Sequence, residues 1–350
     1  MTMLQRAERR DKKFQNPVVT QVGGFSTMAK VLPLYLANKE EKSPKEPLGP
    51  FQTDAKVYAT PPASGLRVTW FGHSSILLEI DGVRVLIDPV WDERASPMRW
   101  AGPKRFFAPT LPLKKMPAID VVLVSHDHYD HLGKATIKGL VKLEALAKAQ
   151  WVTSLCVGKL LQEFGVAAER IVELDWTQTA SVADGACSIT SAPARHFSGR
   201  GLFNRFETLW ASFVIKGRKH SVYFGADSGF WEGFEAIGVA YGPFDLTMLE
   251  IGASNELWKS IHMGPEGAAQ AYAALGGPER AGLLMPIHWG LFDLALHGWR
   301  QPMERMLEIA TERRWPLFAP KPGLPTEVAA VQSDWWKVRQ TAADRVAVFS

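Results

Sequence analysis

The chain has little cysteine, no long apolar run and almost no excess of one charge, and each shortage removes a class of protein. Cys156 and Cys187 are the only cysteines in 350 residues and neither sits in a Cys-x-x-Cys pair. That argues against a disulfide framework or a thiolate zinc site and leaves buried free thiols as the expectation. No stretch is apolar for long enough to span a bilayer. The basic start, with Arg6, Arg9, Arg10, Lys12 and Lys13, lacks the apolar run of about 7–15 residues that a secretory signal needs. A cytoplasmic protein is expected, at most peripheral to the inner membrane face. The formal charge of +4, from 40 basic and 36 acidic residues, permits attraction to phosphates or an anionic surface without indicating a nucleic-acid binder.

What is present is ordinary globular material, 46% hydrophobic and 22% charged, enough for a sizeable core. Residues 1–60 read as an extension or flap and 61–350 as one body. The run from Lys39 to Pro47 is a solvated linker. Before it, the apolar stretch Val31 to Leu36 is expected to dock on the body, the alternative being a lipid interface.

The densest chemistry lies in Ser125-His126-Asp127-His128-Tyr129-Asp130-His131, directly after the strand-like run Ile119 to Val124. Loops at strand ends carry function because the strands fix their position. Imidazoles and carboxylates together suit zinc, iron or manganese. A hairpin is predicted for Ser75–Ile80 and Val83–Ile87 about Asp81-Gly82, and its second strand delivers Asp88, a site candidate or a turn cap. A proline-broken loop follows to Pro117, then helices are predicted over Lys134–Lys148 and Leu155–Phe164. Later strands, 171–174, 187–190, 208–215 and 221–224 among them, repeat one theme: an apolar run ending in a candidate ligand. His196, Asp227 and His288 arrive in this way.

His126-x-His128-x-Asp130-His131, followed by His196, Asp227 and His288, resembles the ligand pattern of the metallo-β-lactamase superfamily. Leu66-Arg67-Val68-Thr69-Trp70-Phe71-Gly72-His73, Gly102-Pro103-Lys104-Arg105-Phe106 and His288-Trp289-Gly290 are similar to the N-acylphosphatidylethanolamine-hydrolysing phospholipase D group and its bacterial relatives, over about Phe14 to Glu308. The resemblance implies an α/β fold, an αβ/βα sandwich of two mixed β-sheets face to face with outer helices. It also implies two divalent ions, zinc first with iron or manganese as substitutes. His126, His128 and His196 would hold one, Asp130, His131 and His288 the other, with Asp227 bridging and Asp88 supporting the histidines from behind. Where that group has proline and tyrosine around its Ile-Gly-Ala stretch, this chain reads Glu250-Ile251-Gly252-Ala253-Ser254, and Phe197 replaces a tryptophan; these positions are expected to line the pocket.

Two such ions, about 3.5–4 Å apart, would hold a bridging hydroxide and stabilise the leaving oxygen of a phosphodiester. The expected substrate is an N-acylphosphatidylethanolamine-like phospholipid or a small phosphodiester, with Asp130, Asp227 and His262 in catalytic roles. His262 matches a family histidine that contacts substrate phosphate, and His73 is a second substrate-contact candidate; His220 and His297 read as solvated or structural. The same scaffold serves lactonases and other ester hydrolases, because one hydroxide attacks carbonyl carbon or phosphorus alike. A regulatory metal protein or a di-iron redox module is the non-hydrolytic rival. Oligomeric state, a homodimer included, is not fixed by the sequence.

Overall fold

The computed structural model describes residues 3–23, 33–35, 37, 39–201 and 203–337. A short ribbon, β1 (Arg9–Arg10) with β2 (Lys13–Phe14), opens the chain. Then come β3 (Leu66–Gly72), β4 (Ser75–Ile80), β5 (Val83–Ile87), β6 (Val121–Val124), β7 (Gln150–Ser154) and β8 (Ile171–Leu174). The second half supplies β9 (Thr179–Val182), β10 (Cys187–Ala192), β11 (Ser212–Lys216), β12 (Ser221–Phe224), β13 (Leu246–Glu250) and β14 (Leu283–Ile287). Three short strands close it: β15 (Phe318–Ala319), β16 (Thr326–Glu327) and β17 (Val331–Gln332).

These strands form a seven-stranded sheet in the order β16-β3-β4-β5-β6-β7-β8 and a six-stranded sheet in the order β14-β13-β12-β11-β10-β9. Each is partly antiparallel, as in the hairpins β3-β4-β5, β9-β10 and β11-β12, and parallel across longer connections, as in β5-β6-β7-β8 and β12-β13-β14. Asp81 and Gly82 both take positive φ, 49° and 91°, which matches the predicted two-residue turn and sets the Ile80–Val83 register.

Alternation along the strands builds the layers. Val121 and Leu123 of β6 face the core between the sheets, while Val122 and Val124 face an outer core with Ile137, Leu140 and Leu161 from the helices Lys134–Leu140 and Gly158–Glu163. Behind the second sheet, Phe234, Tyr272 and Met306 pack from helices Gly233–Tyr241, Gly264–Ala274 and Gln301–Arg313. The fold is the expected αβ/βα sandwich. Burying an aliphatic side chain contributes about 1.5–3 kcal/mol, so β6, with all four residues at zero exposure, is a rigid mount for the loop that follows it.

Several predicted boundaries move. The helix over 134–148 stops at Leu140, because Gly139 weakens its last turn and Leu143 turns extended so that Leu146 can enter the outer core. Cys156, at φ 68°, delays the next helix to Gly158. The strand over 208–215 begins only at Ser212; before it the Leu209 amide donates to the Leu155 carbonyl (2.8 Å) and the Trp210 indole to the Ala194 carbonyl (2.9 Å), bonds that replace a ladder. The segment before residue 61 is not set apart from the body. Phe14 is buried and its amide donates to the Phe206 carbonyl, Tyr58 is buried in the outer core, and the Asn16 side-chain amide donates to the His196 carbonyl at 2.7 Å. Of the apolar stretch 31–36, Val31, Leu32 and Leu36 lie outside the described residues, while Leu34 and Tyr35 are 49% and 39% exposed. Cys187 is buried, Cys156 is half-buried, and both thiols are free. Among the described residues no helix is long and apolar enough to cross a membrane.

Candidate metal centre

Every predicted ligand stands just beyond a strand end on one edge of the sandwich. Asp88 follows β5, the His126–His131 loop follows β6, His196 lies four residues beyond β10, Asp227 three beyond β12, and His288 directly after β14. His73 turns between β3 and β4. The backbone is left-handed at His73, Asp88, Ala226 and His288, with φ of 56°, 38°, 50° and 63°. Non-glycine residues adopt this region at a cost, and such strain concentrates at functional sites. Gly252 is required by the same crowding, since a Cβ there would lie 2.0 Å from the His288 carbonyl oxygen.

Neighbouring groups fix which nitrogen of each imidazole faces inward. Buried Asp88 accepts from the Ser125 amide (2.8 Å), the Ser125 hydroxyl (2.7 Å) and His131 Nδ1 (2.7 Å). Having spent its proton on Asp88, the Ser125 hydroxyl accepts from His126 Nδ1 at 2.9 Å. His196 Nδ1 donates to the Ile261 carbonyl at 2.9 Å. Nε2 of His126, His131 and His196 is thereby left as a lone pair pointing at the centre.

Among the described residues the inward atoms fall into three overlapping groups that could each hold a cation: His126, His128, His196 and Asp227; His73, Asp130, His131 and His288; and Asp227, Glu250, His262 and His288, the last sharing Asp227 and His288 with the other two. In the first, His128 Nδ1 lies 3.0 Å from His126 Nε2 and 3.3 Å from His196 Nε2. In the second, Asp130 Oδ2 lies 3.3 Å from His288 Nε2 and 2.9 Å from His73 Nε2. Asp227 spans both, with Oδ2 3.8 Å from His126, 3.6 Å from His196 and 3.1 Å from His288, and Oδ1 3.2 Å from His131.

Three observations test whether metal ions fit. Among the described residues, His131 Nε2, His288 Nε2 and Asp227 Oδ1 are buried and have no hydrogen-bond partner, a costly arrangement that a cation between them would relieve. Burial holds His126, His128 and His196 below the ordinary histidine range, so the first group is made of neutral imidazoles, the ligating form. Around the second, burial pulls His131 and His288 down but the Asp227 and Asp130 carboxylates outweigh it, raising His131 well above its usual value and His288 to about 10. That is the mark of surplus negative charge awaiting a cation. The donor set fits divalent metal binding.

An apolar pocket of about 380 Å³ opens onto the centre, walled by Phe197, Ala253, Trp258, Ile261 and Leu294, with Arg205 at its side and Asp130, Asp227 and His262 in its floor. Phe197 and Ala253 thus lie where the sequence pattern placed them. Arg205 donates to the Gly23 carbonyl at 2.6 Å and its guanidinium lies 5.1 Å from the Phe197 ring. His262 reaches the pocket edge with Nδ1 on Glu250 Oε2 at 2.7 Å. His73 does not line the pocket: it is 1% exposed, behind Asp130, with its carbonyl accepting from the Trp70 indole and the His288 amide. Burial, with His288 beside it, lowers His73 to about 3. His220 ties the two sheets' turns together through Asp81 (2.7 Å), and His297 bonds the Gly298 carbonyl.

Arg200 escaped sequence reasoning, and Glu250, expected to line the pocket, is instead buried and does not line it. Arg200 donates to the carbonyls of Asp127 (2.7 Å) and Leu132 (2.8 Å), bracketing the histidine loop, and lies 3.8 Å from the Tyr129 ring. Nothing in Ser198-Gly199-Arg200-Gly201 announces this. Glu250 left a signal, a carboxylate ending the apolar run Leu246–Leu249, the same pattern that singled out Asp88.

Comparison with known proteins agrees with this geometry. The profile of the beta-lactamase superfamily domain matches residues 83–289. The chain belongs to the metallo-β-lactamase superfamily. It is 46% identical over 278 residues to an uncharacterised protein of Mycobacterium tuberculosis, covering 79% of this chain and 73% of that one. It is 34% identical over 259 residues to an N-acyl-phosphatidylethanolamine-hydrolyzing phospholipase D 1 of Caenorhabditis elegans, covering 71% of each. Among solved structures, the metallo hydrolase Igni18 of Ignicoccus hospitalis superposes with a TM-score of 0.55 at 22% identity, over 75% of this chain and 98% of that one.

Proposed function

We propose that this chain, a metal-dependent hydrolase of the metallo-β-lactamase superfamily, holds two divalent ions, zinc first, and cleaves the phosphodiester of N-acylphosphatidylethanolamine-like lipids. The observation that carries the reading is the apolar pocket opening straight onto two adjoining ligand groups. Its aromatic and aliphatic wall suits an acyl chain, and Arg205 offers positive charge for a phosphate. The 34% identical nematode phospholipase supports the same substrate class.

His126, His128 and His196 would hold one ion, Asp130, His131 and His288 the other, with Asp227 between them and His73 beside Asp130. When bound, such ions act as Lewis acids and lower the pKa of bound water to about 7. The chain's own groups do the rest. Asp88, Ser125 and Ile261 fix the tautomers of the ligating histidines, the pocket wall excludes water, and His262 meets the substrate beside the centre. Leu34, Tyr35, Trp100 (78% exposed) and Phe203 (90% exposed) supply apolar surface for peripheral contact with a lipid bilayer.

Metal-loaded protein is expected to bind two ions per chain and to release phosphatidic acid from N-acylphosphatidylethanolamine vesicles. Elemental analysis and a parallel assay on a short soluble phosphodiester and a lactone check this. One ion per chain, or turnover of the lactone alone, would overturn it.

A further inference from the structure

Glu250 is a buried carboxylate outside the ligand set that the sequence pattern implies, although its oxygen lies close enough to Asp227, His262 and His288 for the four to surround a cation. It ends β13 at zero exposure, and among the described residues no lysine or arginine pairs with it. Isolated burial of a carboxylate is costly, so its hydrogen bonds show what it is kept for. Oε1 accepts from the backbone amides of Ser228 (2.9 Å) and Met263 (3.3 Å), which pin the group between the loop after β12 and the start of helix Gly264–Ala274. Oε2 is left to face His262 Nδ1 at 2.7 Å, with His288 Nδ1 farther away at 3.7 Å.

An ionised carboxylate can only accept, so with Glu250 ionised Oε2 takes the hydrogen bond, Nδ1 carries the proton, and Nε2 is the ring nitrogen left to the pocket. The ring is also wedged: it lies 5.0 Å from His196 and 5.3 Å from His288, centroid to centroid, stacked on the latter. We propose that Glu250 is the positioning residue of a Glu250–His262 pair, holding His262 in one tautomer and one orientation so that Nε2 meets the phosphoryl group of the substrate. What Nε2 meets rests on the phosphodiesterase reading; the pair itself does not.

Glu250→Gln tests this with nearly unchanged shape. Its Oε1 still accepts from Ser228 and Met263, but its amide nitrogen donates to Nδ1, which reverses the bond and moves the imidazole proton to Nε2. In histidine ¹⁵N spectra of the full-length, metal-loaded protein, the signals lost in His262→Gln identify His262. They are expected to report Nδ1–H in the parent and Nε2–H in Glu250→Gln. Metal content should be unchanged, and kcat on a soluble phosphodiester should fall about 10–100-fold with KM nearly constant, as for the loss of an orienting partner. In a His262→Ala background, Glu250→Gln should cost nothing further. An Nε2–H signature in the parent would overturn the pair even if the variant fails to fold. So would additive losses in the double variant, or a fall in metal content, which would make Glu250 a ligand. A parent protein that turns over no phosphodiester overturns the functional reading instead, while the ¹⁵N signature still decides the pair.

Discussion

From the first sheet, four of the candidate ligand side chains arrive within six residues, His126 to His131, on the single loop after β6. From the second, His196, Asp227 and His288 arrive one at a time beyond β10, β12 and β14. The first half is therefore positioned by what grips one loop: Asp88 from behind and Arg200 at both ends. The second half is positioned by strand register, the parallel pairing that sets Phe224 beside Met248 and Glu250 beside Ile287. A loop is damaged locally when a brace is lost, whereas a register-built site fails only when a residue at the junction itself goes.

Asp227 is that junction, and Asp227→Ala is the severest way to break the comparison. Both ligand groups lose their shared carboxylate, so bound metal should fall below two ions per chain and turnover should drop by more than about a hundredfold. Elemental analysis beside kinetics checks it; a variant with two ions and parental rate would reduce Asp227 to a loop carboxylate. Next in size is Asp88→Asn, which touches no ion but disturbs the tautomers of His126 and His131. Metal affinity should weaken about 10–100-fold, read by competition with a chromophoric chelator. Unchanged metal affinity would deny that Asp88 positions the histidines of the β6 loop. The smallest effect belongs to Arg200→Ala. Losing two hydrogen bonds from a largely buried guanidinium should lower stability by about 1.5–3 kcal/mol in thermal or urea unfolding, with metal content of the folded protein kept.

The same contrast explains how much could be read beforehand. The β6 loop was legible because its ligands are contiguous and follow an unbroken apolar strand. The three single ligands were legible only as a repeated pattern of strand, then His or Asp. The sandwich followed from the strand inventory and the family resemblance together, but helix lengths did not. Leu143 obeys the outer core rather than helical periodicity, and residues 208–211 read as strand because they are buried, though their bonds go elsewhere. Glu250 and Arg200 were missed as working residues because their partners, His262 and the Asp127–Leu132 loop, are brought close only by the fold. Residues 1–60 read as an extension or flap because charge and proline mark a linker at 39–47, and ahead of that run Phe14 and Asn16 pack against the body.

The Asn16 bond to the His196 carbonyl joins positions 180 residues apart, and that separation sets a timetable. Contacts between distant parts of a chain close late, after local hairpins and helices have formed. During synthesis Asn16 waits for most of the first sheet and part of the second before its partner exists, and His288 emerges later still. The histidine loop of the first sheet is braced over shorter separations, 37 and 43 residues back to Asp88 and 68 and 73 residues on to Arg200. The centre as a whole therefore needs residues from the start, the middle and the last strand of the second sheet to be together at once.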